Sequence, residues 1–207
     1  MLKVLNLYAG VGGNRKLWPN DKIEVTAVEI NPSIAAAYKD FYPNDNVIVG
    51  DAHQYLLDHY KEFDFIWASP PCQTHSKARY ANACSDNPIK GCEPKYIDLK
   101  LYQEILFLQY YAKCDWVVEN VLPYYKPLIQ PTFKAGKHDF WSNKYIMDAF
   151  YNATRGIELP LKKLASNRQI NLTGKKFEGI RKRTVIRNMV EPELGLYVFE
   201  QITGVKS

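Results

Sequence analysis

Two short stretches carry residue types that could do chemistry together. The first, Ser69-Pro-Pro-Cys-Gln-Thr-His-Ser76, follows the apolar run Phe63, Phe65, Ile66, Trp67 and Ala68, which reads as a buried strand. Two prolines fix φ and remove two backbone donors, so the strand must stop there and the Cys72 thiol sits on a stiff turn. A thiol so presented is poorly placed for packing and well placed for nucleophilic attack. The second stretch, Trp116-Val-Val-Glu119, reads as another strand; it runs on into Asn120-Val121 and is stopped by Pro123. The plain alternative for Cys72 is a buried cysteine with no chemical duty.

A third feature reads as a cofactor cradle. The strand Lys3–Leu7 runs into Tyr8-Ala-Gly-Val-Gly-Gly13, where glycine takes three of four positions from Gly10, so backbone can approach a ligand closely. The next strand, Glu24 to Val28, ends on Glu29, and an acid about 20 residues after a glycine loop is where Rossmann-like folds grip ribose hydroxyls. An ordinary strand-end acid is the bland reading. A third strand, Asn46–Val49, closes on Gly50-Asp51, again a carboxylate at a strand's carboxyl end.

The elements that must position these residues follow from pattern. Pro32–Phe41 reads as a helix, with Pro32 in its first turn and Ile34, Ala37, Tyr38 and Phe41 at helical spacing. A short crossover helix around Gln54 and Leu57 follows. This β-α-β rhythm predicts an α/β fold with a mostly parallel, doubly wound sheet. The polar segment from Cys72 to about Pro94 lacks apolar periodicity and reads as a long structureless lid. Tyr96–Ala112 reads as a helix with a core stripe of Ile97, Leu101, Ile105, Leu108 and Ala112. Phe140, Trp141 and the run from Tyr145 to Met147 suggest further strands. A last helix, with Leu194, Tyr197, Val198 and Ile202 on one side, should return to the sheet.

Composition narrows the class. A chain of 207 residues with 46% hydrophobic and 24% charged content suits one soluble domain of good core size, with no membrane span and a cytoplasmic location. Cys72, Cys84, Cys92 and Cys114 include no Cys-x-x-Cys pair, which argues against zinc or a disulfide framework, although Cys84 and Cys92 could in principle hold a metal. Charge is uneven. Residues 162–187 hold nine basic residues against one acid, Glu178, while the net charge of the whole chain is only +5. A basic segment on an acidic body is the footprint of a polyanion binder; a solvated lysine-rich surface is the bland alternative.

Leu5-Asn-Leu-Tyr-Ala-Gly-Val-Gly-Gly13, Glu29, Gly50-Asp51, Pro70-Pro-Cys-Gln73, Glu119-Asn-Val121 and Arg187-Asn-Met-Val190 follow one another in an order and spacing that resembles the DNA cytosine-5 methyltransferases. The match covers most of the chain, and the Pro-Cys-Gln and Glu-Asn-Val pair is its specific part. The resemblance implies a Rossmann-like methyltransferase fold that uses S-adenosylmethionine and releases S-adenosylhomocysteine. Residues 1–150 would be the catalytic domain, 151–186 a very small basic recognition segment, and 187–207 a helix returning to the catalytic domain.

It also implies roles. Cytosine C5 is a poor nucleophile, so a thiolate, Cys72, adds at C6, while Glu119 hydrogen-bonds or protonates N3. Asn120 would support this pair. Around the cofactor the resemblance sets Tyr8 against the adenine or methionine part, Gly10 and Gly12 beneath the methionine, Glu29 on the ribose, Ile30 against the adenine and Asp51 near its amino group, with Pro70 and Asn188 completing the pocket. A free cysteine is mostly protonated at neutral pH, and Lys77 or Arg79 are the expected helpers. The target base must be flipped out of double-stranded DNA, with the segment after Cys72 as lid. Gln73, Ser76, Lys77 and Arg79 from that segment, and Lys175, Lys176, Arg181 and Arg183 from the basic one, are the expected DNA contacts.

Two departures stand out. The family's Gln-x-Arg-x-Arg motif, whose arginine contacts the base O2, is replaced by Gly136-Lys-His-Asp-Phe140, where Lys137 or His138 could supply the donor. The recognition segment is also much shorter than usual, so short or relaxed sequence recognition, resting on phosphate contacts or on a protein partner, is expected. The compact chain suggests a stand-alone modification enzyme of a restriction–modification type in a bacterium or bacterial virus. Methylation of tRNA cytosine is an alternative, since an RNA-directed branch shares these motifs. Amino-group methyltransferases also carry a Pro-Pro turn, but with an aromatic where Cys72 stands. From another class, the chain could be a catalytically weak S-adenosylmethionine-binding module for DNA or a protein partner.

Overall fold

The computed structural model describes residues 1–85, 93–146 and 161–206. Its strands are β1 (Leu2–Leu7), β2 (Ile23–Glu29), β3 (Asn46–Val49), β4 (Phe65–Ala68), β5 (Asp115–Val121), β6 (Phe133–Ala135) and β7 (His138–Ser142). They form one seven-stranded sheet in the order β3-β2-β1-β4-β5-β7-β6. The first five are parallel, and β7 runs antiparallel to both β5 and β6. The chain winds outward from β1 to β3, then returns to β4 on the other side of β1. That reversal opens a crevice at the carboxyl ends of β1 and β4, where ligands bind in sheets of this kind.

Alternation along the buried strands sends side chains to two cores. Val4, Phe65, Trp67, Val117 and Phe140 face one side of the sheet, with Trp18. Leu194, Val198, Phe199 and Ile202 of α7 (Pro192–Thr203) cover them. Leu5, Leu7, Ile66, Val118 and Trp141 face the other side. There they meet α2 (Ala52–His59) and α4 (Lys100–Tyr111) through Leu56, Leu101, Ile105 and Leu108. The final helix docks closely because Gly195 has no side chain: a Cβ there would lie 2.3 Å from the Asn14 carbonyl oxygen. Trp18 Nε1 donates to the Gly195 carbonyl at 3.2 Å, tying the helix to the loop after β1.

Local signals explain the boundaries of α1 (Pro32–Phe41). Asn31 caps it by accepting from the Ser33 and Ile34 N–H groups, and Pro32 needs no partner in the first turn. A buried ion pair fixes its far end: Arg15 Nε and Nη2 reach the two oxygens of Asp45 at 3.0 Å, and Tyr38 donates to the same carboxylate. The glycine loop is therefore braced against α1 by charge as well as packing.

Several expectations need correction. The segment after Cys72 is not structureless throughout: Lys77–Ala83 forms α3, a short helix with no buried residue to mark it in the sequence. Residues 86–92, with Cys92, lie outside the described residues. Helix α4 begins at Lys100 rather than Tyr96, whose side chain is 99% exposed. Tyr145 and Ile146 belong to no strand, and Met147 lies outside the described residues.

The basic segment also buries more than its composition suggests. Leu172, Val185 and Ile186, with Ile170, Phe177 and Ile180 beside them, pack on Val11, Ile34 and Met189. Its helices are α5 (Leu161–Asn167) and α6 (Lys182–Arg187). Among the described residues no helix is long and apolar enough to cross a membrane, and no His, Cys, Asp and Glu group could hold a metal ion.

Candidate active site

The glycine loop, the strand-end acids, Cys72 and Glu119 line a single cavity of about 480 Å³, within the range of small-molecule sites. Parallel neighbours produce this convergence. In β4 and β5 Ala68 lies beside Val118, so the turn after β4, Ser69 to Cys72, and the last residues of β5, Glu119 to Val121, emerge together. Asn120 Nδ2 donates to the Pro70 carbonyl at 2.9 Å and couples the two motifs directly. The Cys72 carbonyl accepts from the His75 and Ser76 N–H groups, each at 3.1 Å, which closes the turn carrying the thiol.

Glu119 is buried and hydrogen-bonds His138 through Oε1 and the ring Nδ1. Its register partner in β7 is Phe140, and His138 stands opposite Val121, on the same face. Burial alone would discharge the imidazole. The Glu119 and Glu191 carboxylates outweigh it and hold the His138 pKa above its ordinary value. The thiol moves against its expected helpers: burial first, and the Glu119 charge second, push the Cys72 pKa up to about 11. Lys77 and Arg79 do not lower it. Both lie on α3, and the Arg79 guanidinium donates to the Glu93 carbonyl at 2.9 Å. Of the two candidate donors in the departed motif, His138 is the one in the cavity; Lys137 is exposed outside it.

On the cofactor side, Glu29 is positioned by accepting the Gly10 N–H at 3.0 Å and the Asn31 N–H at 2.9 Å. Each oxygen keeps lone-pair capacity toward the cavity. Ile30 lies on the cavity wall and is 69% exposed, an apolar surface left uncovered by the described residues. Asp51 caps α2 through the His53 and Gln54 N–H groups. Slight burial acts to raise its pKa, but those bonds and Lys100 lower it overall. Tyr8 adopts a left-handed backbone, φ 55°, and its hydroxyl donates to the fully buried Glu104. A tyrosine held in that region is strained, and such strain gathers at ligand sites. Pro70 and Asn188 line the same cavity.

Gly12 is a correction. It does not line the cavity: a Cβ there would lie 2.3 Å from the Tyr42 ring, so it is glycine to admit α1, while Gly13 faces the cavity instead. Asn31, Asp98, Lys100, Ile180 and Val185 line the cavity without having been singled out, and Arg187 of the last motif joins them. Asn31 had a signal, the helix-opening Asn-Pro pair; Asp98 and Lys100 had none.

The expected nucleic-acid contacts scatter. Gln73 is exposed at the cavity, and Ser76 pairs with Pro123 as an isolated bridge. Lys175 is drawn to Asp40 on the outer side of α1 and shares a shallow cleft there with Lys176, away from Cys72. Neither lysine faces the catalytic cavity, because the segment folds back over α1. Arg181 is exposed at the start of α6, and Arg183 is half-buried within it.

A doubly wound sheet with an antiparallel β7, a glycine turn after β1 and a carboxylate at the end of β2 defines an S-adenosylmethionine-dependent methyltransferase fold. The cavity fits that cofactor: a dicoordinated carboxylate for hydroxyl groups, an uncovered apolar wall for a ring, and an open backbone loop. Residues 2–89 match the family model described as C-5 cytosine-specific DNA methylase. A tRNA (cytosine(38)-C(5))-methyltransferase of Spodoptera frugiperda is 32% identical over 80 residues, covering 36% of this chain and 24% of that protein. The chain thus spans about a quarter of the length of this relative.

Solved structures give weaker likenesses. A Spodoptera frugiperda DNMT2 mutant shows 18% identity, a TM-score of 0.47, and coverage of 79% of this chain and 59% of that one. An S-adenosylmethionine-dependent methyltransferase from Agrobacterium tumefaciens shows 16% identity, a TM-score of 0.43, and coverage of 60% and 40%.

Proposed function

We propose that the protein transfers a methyl group to C5 of cytosine in double-stranded DNA, with Cys72 as nucleophile. The observation that carries this reading is the shared cavity, in which Cys72 and Glu119 stand beside the glycine loop and Glu29. Cys72 gives up its proton to solvent, Sγ forms a bond to cytosine C6, and the electron pair of the C5–C6 double bond moves onto C5 and, through C4, toward N3. Glu119 hydrogen-bonds N3 and relays to it the proton that His138 carries on Nδ1, meeting the charge that addition develops there. S-adenosylmethionine, when bound, supplies the electrophilic methyl group. Loss of the C5 proton to a solvent base, departure of the Cys72 thiolate and return of the N3 proton through Glu119 to His138 restore the ring. Asn120 keeps the two motifs in register through Pro70.

The base must leave the duplex to reach a thiol at the floor of a cavity, at a cost of a few kcal/mol. Gln73 lines that cavity and leads into helix α3 four residues on. Arg181 and Arg183 remain the basic segment's contacts for phosphate. Lys175 and Lys176 would act there only by moving away from Asp40 and α1. A protein partner would add the sequence recognition for which this short segment has little surface.

A second reading, methylation of cytosine in tRNA, is favoured by the name of the Spodoptera relative. Methyl-group transfer from labelled S-adenosylmethionine to duplex DNA and to tRNA separates the two. Labelled methylcytosine in DNA supports the first reading, and label confined to tRNA replaces it with the second. Sequencing methylcytosines in DNA from cells expressing the protein then reads the target sequence.

A further inference from the structure

Four elements, β5, β7, α5 and α7, bring four ionisable side chains into one buried row. Glu119 of β5 hydrogen-bonds Nδ1 of His138, the first residue of β7. His138 Nε2 lies 3.8 Å from Glu191 Oε2, at the residue that precedes α7. Glu191 Oε1 lies 2.5 Å from Nη1 of Arg168, just past α5. Side-chain exposures run 7% for Glu119, 14% for His138, 8% for Glu191 and 13% for Arg168. Burying charges together is costly. Only the first two belong to the reaction as described above.

We propose that Glu191 is a positioning residue: flanked by Arg168, it fixes the His138 ring and its positive charge, so that Nδ1 stays on the Glu119 carboxylate. The inference rests on the reading of Glu119 given above. A guanidinium would need no such support, because it is charged under all conditions, whereas an imidazole is charged only where its surroundings keep it so. The charged groups facing His138 are Glu119 from β5, Glu191 from the start of α7 and Arg168 after α5. The two carboxylates favour the imidazolium and the guanidinium opposes it. Glu191 also keeps one oxygen, Oε2, buried with no hydrogen-bond donor on it, which leaves it directed at the ring.

The opposed signs give the test. The His138 ring is titrated by nuclear magnetic resonance in the unliganded full chain, its signal assigned by loss in His138→Gln. Glu191→Gln should move the titration midpoint to lower pH, and Arg168→Met should move it to higher pH. A generic loss of packing would not produce opposite shifts. Adduct formation between Cys72 and 5-fluorocytosine DNA should in turn lose its activity at lower pH in Glu191→Gln than in the wild type. In a His138→Arg background the Glu191→Gln change should no longer move that profile.

Unshifted midpoints in both variants, or shifts of the same sign, would overturn the proposal. Should Glu191→Gln fail to fold, Arg168→Met alone decides by the direction of its shift. The titration needs neither nucleic acid nor cofactor. A wild-type protein that methylates nothing would therefore remove the proposed function while the ring titration still reads the relay.

Discussion

Asn120 donates its side-chain N–H to the carbonyl oxygen of Pro70 across 2.9 Å, and both groups are buried. This bond joins the turn that holds the thiol to the strand that holds the carboxylate. It needs an amide: the same side chain's oxygen accepts the Val121 N–H at 3.0 Å, which an aspartate could match, but only the Nδ2 group can donate to Pro70. Asn120→Asp and Asn120→Ala should each destabilise the fold by about 1–3 kcal/mol, since a buried carbonyl loses its donor. They should also slow methyl transfer more than they weaken cofactor binding. Thermal unfolding and a split of kcat from KM check both expectations.

The Cys72 thiol should be unreactive near neutral pH in the free protein. Burial and the Glu119 charge favour the neutral thiol, so alkylation by iodoacetamide should rise through a midpoint near about 11 instead of the ordinary value of about 8.5. Glu119→Gln removes the negative charge, so that midpoint should fall even though methyl transfer is lost. A midpoint that rises or stays put in Glu119→Gln would break the link drawn between the two residues.

Glu29 is the group expected to hold cofactor hydroxyls, and its two backbone bonds fix its direction. Glu29→Ala should weaken S-adenosylhomocysteine binding roughly tenfold or more, the loss of hydrogen bonds to a charged acceptor. Isothermal titration measures this directly. Unchanged affinity would move the ribose site elsewhere in the cavity.

Much of the parallel half of this fold is legible in the chain. The bounds of α1 and β3 follow from Asn31-Pro32, the Tyr38 and Phe41 spacing and the Gly50 stop, because caps and turns are local physics. Helix α3 escaped because it is short and has no buried residue to mark it, and the start of α4 escaped because Tyr96 and Ile97 look like a continuation of its periodicity. Cys72, Glu119, Glu29 and Asp51 could be found as strand-end residues. Arg168 and Glu191 could not: each reaches His138 only through the folding of a distant segment onto the sheet. Gly12 shows the opposite error, a glycine whose reason is the Tyr42 ring rather than a ligand.

The most direct test of Cys72 as the nucleophile is covalent capture. Duplex DNA containing 5-fluorocytosine is incubated with the protein and S-adenosylmethionine; fluorine at C5 cannot leave as a proton does, so the thioether at C6 persists. A denaturation-resistant protein–DNA adduct should form with the wild type and be absent with Cys72→Ala. No adduct on DNA or on a 5-fluorocytosine tRNA, or an adduct that survives Cys72→Ala, would contradict the assignment of Cys72 as nucleophile.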